Sequence, residues 1–259
     1  MAQQRFPLYP AAMDHQRYSF LAHRRHRFCC PTSPARAELL LGLLEVDAAA
    51  TVLDVGCGKA EWLLRACERF GARGLGLEHS PLFVDDPLTK ARLAALEGRA
   101  EVRQQDVRAF TPGTPYDAVL CIGSSHAVAD DAASALRRLT GWTRLGGRLL
   151  FAEPYWRREP SARYLGGFGA PREAYRTHDE TAALGEDLGL RLLYTAASSE
   201  DEWDEYEGLY AMAIERFAAE NPEDPDAAAM LERARGWRRL YLRWGRETLG
   251  FGWYLFERA

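Results

Sequence analysis

Thr51-Val52-Leu53-Asp54-Val55-Gly56-Cys57-Gly58-Lys59-Ala60 is a short apolar strand that runs directly into a glycine turn, with a carboxylate near the strand's end. Twenty residues beyond Gly58, a second strand-like run, Gly74-Leu75-Gly76-Leu77, ends on another carboxylate, Glu78. This pairing is how an α/β sheet builds a nucleoside pocket. The glycines let the backbone approach the ligand, and the later carboxylate takes the ribose hydroxyls.

The same alternation continues on both sides of this unit. Strand patterns fall at 51–55, 73–78, 100–104, 117–122 and 147–152, and helical patterns at 35–44, 60–70, 87–96 and 131–143, the last with Asp130 or Asp131 as its cap. Strands separated by helices imply crossover connections, hence a mostly parallel sheet with helices on both faces and a ligand crevice at the strands' carboxyl ends. After Phe151 the pattern changes. Residues 153–178 read as a loop rich in Gly, Pro and aromatics, followed by a helix at about 180–188 and a strand at 191–197. The stretch 200–247 is helical, broken at Asn221-Pro222 and Pro225, and an aromatic, alternating run at 249–256 reads as the last strand. A helical pair inserted between the last two strands is expected to cover the crevice.

Bulk properties exclude several classes. At 259 residues, with 47% hydrophobic and 27% charged side chains, the chain can bury one full core. A net charge of -4 provides no general attraction to nucleic acid or anionic lipid. The five cysteines are odd in number and lack zinc spacing, so reduced thiols and no metal are expected. Met1 to Asp14 has no apolar signal region, and no stretch approaches the ~20 apolar residues of a membrane span. These features predict a soluble, cytoplasmic protein, monomer or homodimer, with a small-molecule substrate, no nucleic-acid partner and no membrane.

The glycine turn also selects among nucleosides. A dinucleotide fingerprint needs glycine at its sixth position, for close helix packing under a pyrophosphate, and here that position is Glu61. A carboxylate in the helix's first turn also repels a diphosphate. NAD is disfavoured, and a cofactor with ribose and adenine but no pyrophosphate is favoured.

S-adenosylmethionine (SAM) meets that description. The chain resembles the class I SAM-dependent methyltransferases in an ordered set of motifs spanning roughly 50–152. These are Asp54-Val55-Gly56-Cys57-Gly58, Glu78 at the second strand's end, Gln105-Asp106-Val107 after the third, Tyr116 to Cys121 for the fourth, and Leu145-Gly146-Gly147 leading into the fifth. Two departures stand out: Ala60 where the family often has a third glycine, and Leu145 where it usually has proline. The His23 to Arg27 cluster and Trp244 to Phe251 are similar to a group of uncharacterised bacterial small-molecule methyltransferases. The resemblance implies a Rossmann-like seven-stranded sheet whose last strand is antiparallel. Its parts are an N-terminal lid or helical segment at 1–45, a SAM-binding core at 46–199, a helical cover at 200–248 and the last core strand at 249–259. It also implies cofactor contacts from Asp54, Gly56, Cys57, Gly58, Glu78, His79, Asp106, Val107, Ile122 and Gly123.

Catalytic candidates are fewer. His126, in Ser124-Ser125-His126 past the fourth strand, has the unperturbed pKa of a general base, and equally suits a helix cap. Glu153, at the end of the fifth strand, is a pocket-facing carboxylate or a loop brace. Asp106 has an alternative role as the cap of a short helix before Phe110. Trp203, Tyr206 and Tyr210 share a helical face that packs the helix onto the sheet or walls a substrate. Arg24-Arg25-His26-Arg27 reads as a solvated basic turn, a grip on an anion or a lid over the cofactor, with the lid preferred. The expected reaction is methyl transfer from SAM to a small metabolite at N or O. A nucleic-acid methyltransferase, a non-catalytic SAM-binding protein and an NAD-dependent oxidoreductase are the alternatives.

Overall fold

A computed structural model describes residues 13–259. The N-terminal readings that fall on residues 1–12 lie outside it. Strand β1 (Thr51–Val55) pairs in parallel with β2 (Arg73–Glu78) on one side and β4 (Tyr116–Ile122) on the other. Strand β3 (Ala100–Gln104) extends the edge beyond β2, and β5 (Thr143–Trp156) lies beyond β4. Strand β7 (Leu249–Arg258) runs antiparallel between β5 and β6 (Leu190–Ala197), giving a seven-stranded order β3-β2-β1-β4-β5-β7-β6. The chain leaves β1 in opposite directions toward β2 and β4, so the crevice opens at the carboxyl end of β1.

Alternate residues of the central strands feed two cores. Val52, Ala118, Leu120 and Leu150 pack with helices α2 (Pro34–Gly42) and α3 (Glu61–Phe70). Leu53, Val55, Val119 and Phe151 face the other side, where α7 (Ala132–Trp142) and α9 (His178–Asp187) lie. Between these come α4 (Pro81–Val84), α5 (Pro87–Ala95), α6 (Ser125–Val128) and α8 (Ala162–Phe168). A third core stands apart from the sheet. In it Tyr18 and Ala22 of α1 (His15–Ala22) meet Ile214 and Phe217 of α10 (Glu200–Glu220) and Met230 and Ala234 of α11 (Ala227–Leu240).

Local rules explain where the structure departs from expectation. Helix α1 lies in a stretch that reads as merely polar and basic. Asp14 starts it by accepting from the N–H groups of Gln16 and Arg17. Residues 153–178 are not one loop. Strand β5 continues to Trp156 because β7 pairs with it up to Leu249, and α8 follows, capped by Ser161. Two glycines in α8 argue against a helix by propensity, but a Cβ on Gly167 would stand 2.6 Å from Leu240, so that glycine lets α8 cross α11 closely. The aromatic stripe of α10 does not lie flat on the sheet. Trp203 meets Phe251 of β7, whereas Tyr206 and Tyr210 pack on His23 and His26.

One carboxylate ties two helix starts together. Glu202 Oε1 accepts from the Ser33 N–H (2.9 Å), Ser33 Oγ (2.8 Å) and Arg36 Nε (2.9 Å), and Oε2 accepts from the Ser199 N–H (2.8 Å). Burial alone would raise its pKa, but Arg36 and these donors hold it below the usual range. Its stabilising effect is therefore present above the unfolded pKa and fades as pH falls through the depressed folded value. Glu202→Ala is expected to cost about 3 kcal/mol, measured by denaturant unfolding. It should also flatten the loss of stability on acidification below pH ~4.5.

Candidate active site

The turn after β1 is built from left-handed backbone. Gly56 (φ 64°), Gly58 (φ 52°) and Ala60 (φ 56°) all lie in the region that favours glycine. A Cβ on Gly56 would stand 2.6 Å from that of Ser124, so not even a methyl group fits there without a shift. Ala60 adopts the same conformation with a methyl group, at a cost of about 1 kcal/mol. Two side chains brace the turn. Glu78 Oε2 accepts from the Gly58 N–H (2.9 Å), and Ser124 Oγ donates to the Val55 carbonyl (2.5 Å). The other oxygen of Glu78 accepts from the Ser80 N–H (2.7 Å).

Asp54 is buried and its Oδ2 has no hydrogen-bond partner. Burial pushes its carboxyl up to about 7; the Leu63 N–H opposes this and the nearby Glu78 charge adds to it. This leaves a buried carboxylate oxygen beside the glycine turn with lone pairs free to accept from a cationic or donor group. Asp54, Gly56, Cys57 and Ile122 line one cavity together with Trp62 and the segment Arg27-Phe28-Cys29-Cys30. That cavity measures only about 30 Å3, against ~300 Å3 or more for a ligand pocket. Residues 27–30 form one of its walls, with Cys29 Sγ 3.4 Å from where a Cβ on Gly58 would stand.

Lys59 holds that segment's approach. Its ammonium donates to the carbonyls of His23 (2.7 Å), Arg24 (3.2 Å) and His26 (2.8 Å), just past the C-terminus of α1. A cation there satisfies orphan carbonyls and meets the negative end of the helix. His23 donates from Nδ1 to Ser19 O (2.8 Å), leaving Nε2 to accept from the Tyr206 hydroxyl (2.9 Å). Burial, with His26 and Lys59 beside it, lowers its pKa to about 3, so it stays neutral. His26 bonds the Tyr206 carbonyl (2.8 Å). Glu61, the residue that argued against a pyrophosphate, is buried, and pairs with Arg65 (2.6 Å) and Arg92 and lies 4.0 Å from Arg27.

The other candidates separate in space. Ser125 Oγ donates to Glu153 Oε1 (2.7 Å) just past the part of β5 paired with β4, while Glu153 Oε2 is buried without a partner. Burial pushes the Glu153 carboxyl up to about 7, with Ser125 opposing it. His126 is exposed; its carbonyl accepts from Arg108 (3.0 Å). Asp106 is exposed and caps residues 107–109 by accepting from the Arg108 N–H (2.8 Å), and Val107 is buried in the second core. His79 is exposed, next to Glu78. Gly123 (φ 68°) donates its N–H to the Ala152 carbonyl (2.7 Å), joining the ends of β4 and β5. Reading from sequence passed over Lys59, Ser124 and Ser125. Lys59 carried a signal, as one of only two lysines beside many arginines; the serines stood next to a histidine that drew attention instead. Among the described residues no His, Cys, Asp and Glu side chains gather as a metal site, and no helix is long and apolar enough to cross a membrane.

Comparison with known proteins agrees with this geometry. A family profile described as a methyltransferase domain matches residues 52–147. The Escherichia coli K12 protein YjhP is 25% identical over 93% of this chain and 97% of its own. A solved SAM-dependent methyltransferase from Thiobacillus denitrificans, in complex with S-adenosyl-L-homocysteine, superposes with a TM-score of 0.86 at 26% identity, covering 95% of this chain and all of that one. Aklanonic acid methyltransferase DauC of Streptomyces sp. strain C5 is 31% identical over 46% of this chain and 54% of its own.

The raised pKa of Asp54 fixes a pH signature for the ligand-free protein. Its folded pKa lies above the unfolded value of 3.8. The stabilisation is therefore complete below that value and is lost as pH rises through about 7. Asp54→Asn should remove this contribution. In thermal melts from pH 5 to 9, the wild-type minus variant difference should shift against the wild type by a few kcal/mol; a pH-independent difference would contradict the assignment.

Proposed function

We propose that this chain, which a methyltransferase-domain profile matches over residues 52–147, is a class I SAM-dependent methyltransferase that methylates a small organic molecule. The acceptor atom is a nitrogen or oxygen that carries a proton, and Glu153 is the base that removes it. The carrying observation is the Ser125–Glu153 pair. One carboxylate oxygen is fixed by a hydroxyl and the other is buried and unpartnered. A carboxyl held near 7 combines a useful ionised fraction with real basicity at neutral pH. His126 also has a suitable intrinsic pKa but is exposed beside Arg108, so the base is assigned to Glu153.

The residues present fit SAM. The unpartnered oxygen of Asp54 suits the ammonium of the methionine part. Glu78 keeps its bonds to Gly58 and Ser80 and still has lone pairs for ribose hydroxyls. Cys57 and Ile122 line the same cavity as Asp54. Gly123, His79 and Asp106, at the ends of neighbouring strands, are assigned to the adenine side as the family resemblance implies, whereas Val107 is buried in the second core. Bound SAM supplies an electrophilic methyl group on a sulfonium. The chain's own work is then alignment of the acceptor and removal of its proton. For the cofactor to enter, segment 27–30 must leave the glycine turn, which supports a lid within the N-terminal segment, the stretch around 23–33 that closes against the 200–248 cover through His23, His26 and Tyr206.

Two substitutions separate binding from chemistry. Glu78→Ala should weaken SAM binding about tenfold or more, by loss of charge-assisted hydrogen bonds, read by calorimetry. Glu153→Gln should leave that affinity within about twofold while lowering methyl transfer roughly 100-fold or more, with S-adenosylhomocysteine formation in metabolite extracts as the assay. His126→Ala should stay near wild type. An inactive His126→Ala with a fully active Glu153→Gln would reverse the assignment. Tight SAM binding with no turnover in any extract would leave a SAM-binding protein without catalysis.

A further inference from the structure

The basic run at 24–27 is divided by the fold. His26 is buried and Arg27 borders the cavity at the glycine turn, whereas Arg24 and Arg25 face a different hollow. With Arg216 of α10 they line a surface cavity of about 260 Å3. Leu21, Ala213 and Phe217 give it apolar walls, and Glu220 is its one acidic side chain. The guanidinium groups of Arg24, Arg25 and Arg216 have no ion pair or hydrogen bond among the described residues. Their neighbours do: Arg17 pairs with Asp224 and Asp226, and Arg235 with Glu215. Three unneutralised cations thus share one concavity in a chain whose net charge is -4. Three cations against the single acid Glu220 leave the cavity with a net positive charge, and the arrangement is relieved by an anion.

We propose that this cavity binds a small organic anion, a carboxylate or phosphate monoester on an apolar body. Guanidinium forks match the paired oxygens of either group, and the Leu21–Phe217 wall takes the body. The volume lies just below the ~300 Å3 lower end of ligand pockets, which limits the ligand to a compact molecule. The site is not the methyl-transfer site. Ala213 stands ten residues beyond Trp203 on α10, about 15 Å along the helix. It is nonetheless joined to it mechanically, because the carbonyls around Arg24 are those held by Lys59. An anion between Arg24, Arg25 and Arg216 adds a tie between that turn and α10. Glu220 opposes anions and so sets how much negative charge the site accepts.

Calorimetric titration of the full chain at low salt tests this, with phenyl phosphate, benzoate, inorganic phosphate and the neutral benzyl alcohol as probes. Saturable binding of phenyl phosphate or benzoate is expected, with benzyl alcohol silent and inorganic phosphate weaker for want of the apolar body. Arg216→Gln and the double variant R24Q/R25Q should each weaken it about tenfold or more, and Glu220→Gln should tighten it. These side chains are exposed, so unchanged circular dichroism melts are expected, and the gain in Glu220→Gln cannot arise from misfolding. The proposal is overturned if no anionic probe saturates or if affinity is unchanged in Arg216→Gln. Capture by anionic vesicles or duplex DNA alone, lost in the same variants, would equally overturn it in favour of a macromolecular surface.

Discussion

The left-handed turn from Gly56 to Ala60 is the constraint on which the rest of this structure depends. Within the turn the Ala60 N–H donates to the Cys57 carbonyl (2.7 Å), and the other polar backbone groups need partners from neighbouring strands. Here Glu78 takes the Gly58 N–H, Ser124 takes the Val55 carbonyl, and the Cys57 N–H reaches the Leu77 carbonyl (3.0 Å). Strands β2 and β4 thus both brace the end of β1, one through a carboxylate and one through a hydroxyl. The same turn projects Lys59 onto three carbonyls behind α1. One loop therefore sets the geometry of the sheet's carboxyl edge and of the N-terminal segment above it.

Buried acids in this molecule fall into two groups, and the difference is informative. Glu61 and Glu202 are buried but face arginines and backbone donors, so their charge is compensated and their role is to join elements. Asp54 and Glu153 each have an oxygen with no partner, and burial raises both to about 7. An uncompensated buried carboxylate destabilises the fold, and it persists where something else gives it a use. Asp54 lies at the end of β1 and Glu153 just past the part of β5 paired with β4, on either side of β4, where a ligand crevice is expected from topology alone. Glu207 is a third case: it is pushed up to about 8 by burial, but it accepts from the Trp237 indole (2.7 Å) and lies within helical packing away from the strand ends.

How much of this could be read from the chain depends on the range of the interaction. The strands, the glycine turn and Glu78 were legible because each is a local pattern: two-residue alternation, glycine where φ is positive, an acid at a strand's end. The antiparallel last strand came with the family resemblance. Helix α8 was not legible because its glycines oppose helix formation and only the close crossing with α11 makes them useful. Ser125 was not legible because its importance lies in Glu153, twenty-eight residues away on the next strand. The aromatic stripe of α10 had the right periodicity, and Trp203 meets the sheet as expected, whereas Tyr206 and Tyr210 pack on His23 and His26, since periodicity specifies a face and never what covers it.

That covering partner bears on how the crevice can open. Helix α1 shares a core with α10 and α11, through Tyr18, Ala22, Ile214, Phe217 and Met230. Peeling α1 away would expose several fully buried side chains, at about 1.5–3 kcal/mol each. The stretch beyond it is held differently. His23 and His26 bond Tyr206, Ser198 Oγ bonds the Pro31 carbonyl, and Lys59 binds three carbonyls, while Phe28 and Cys30 are the apolar anchors. Most of these are single polar contacts, which water can replace at little net cost. The weak boundary therefore lies between residues 23 and 33. The proposed lid admits a ligand by shifting this short strap against a helical body that stays in place.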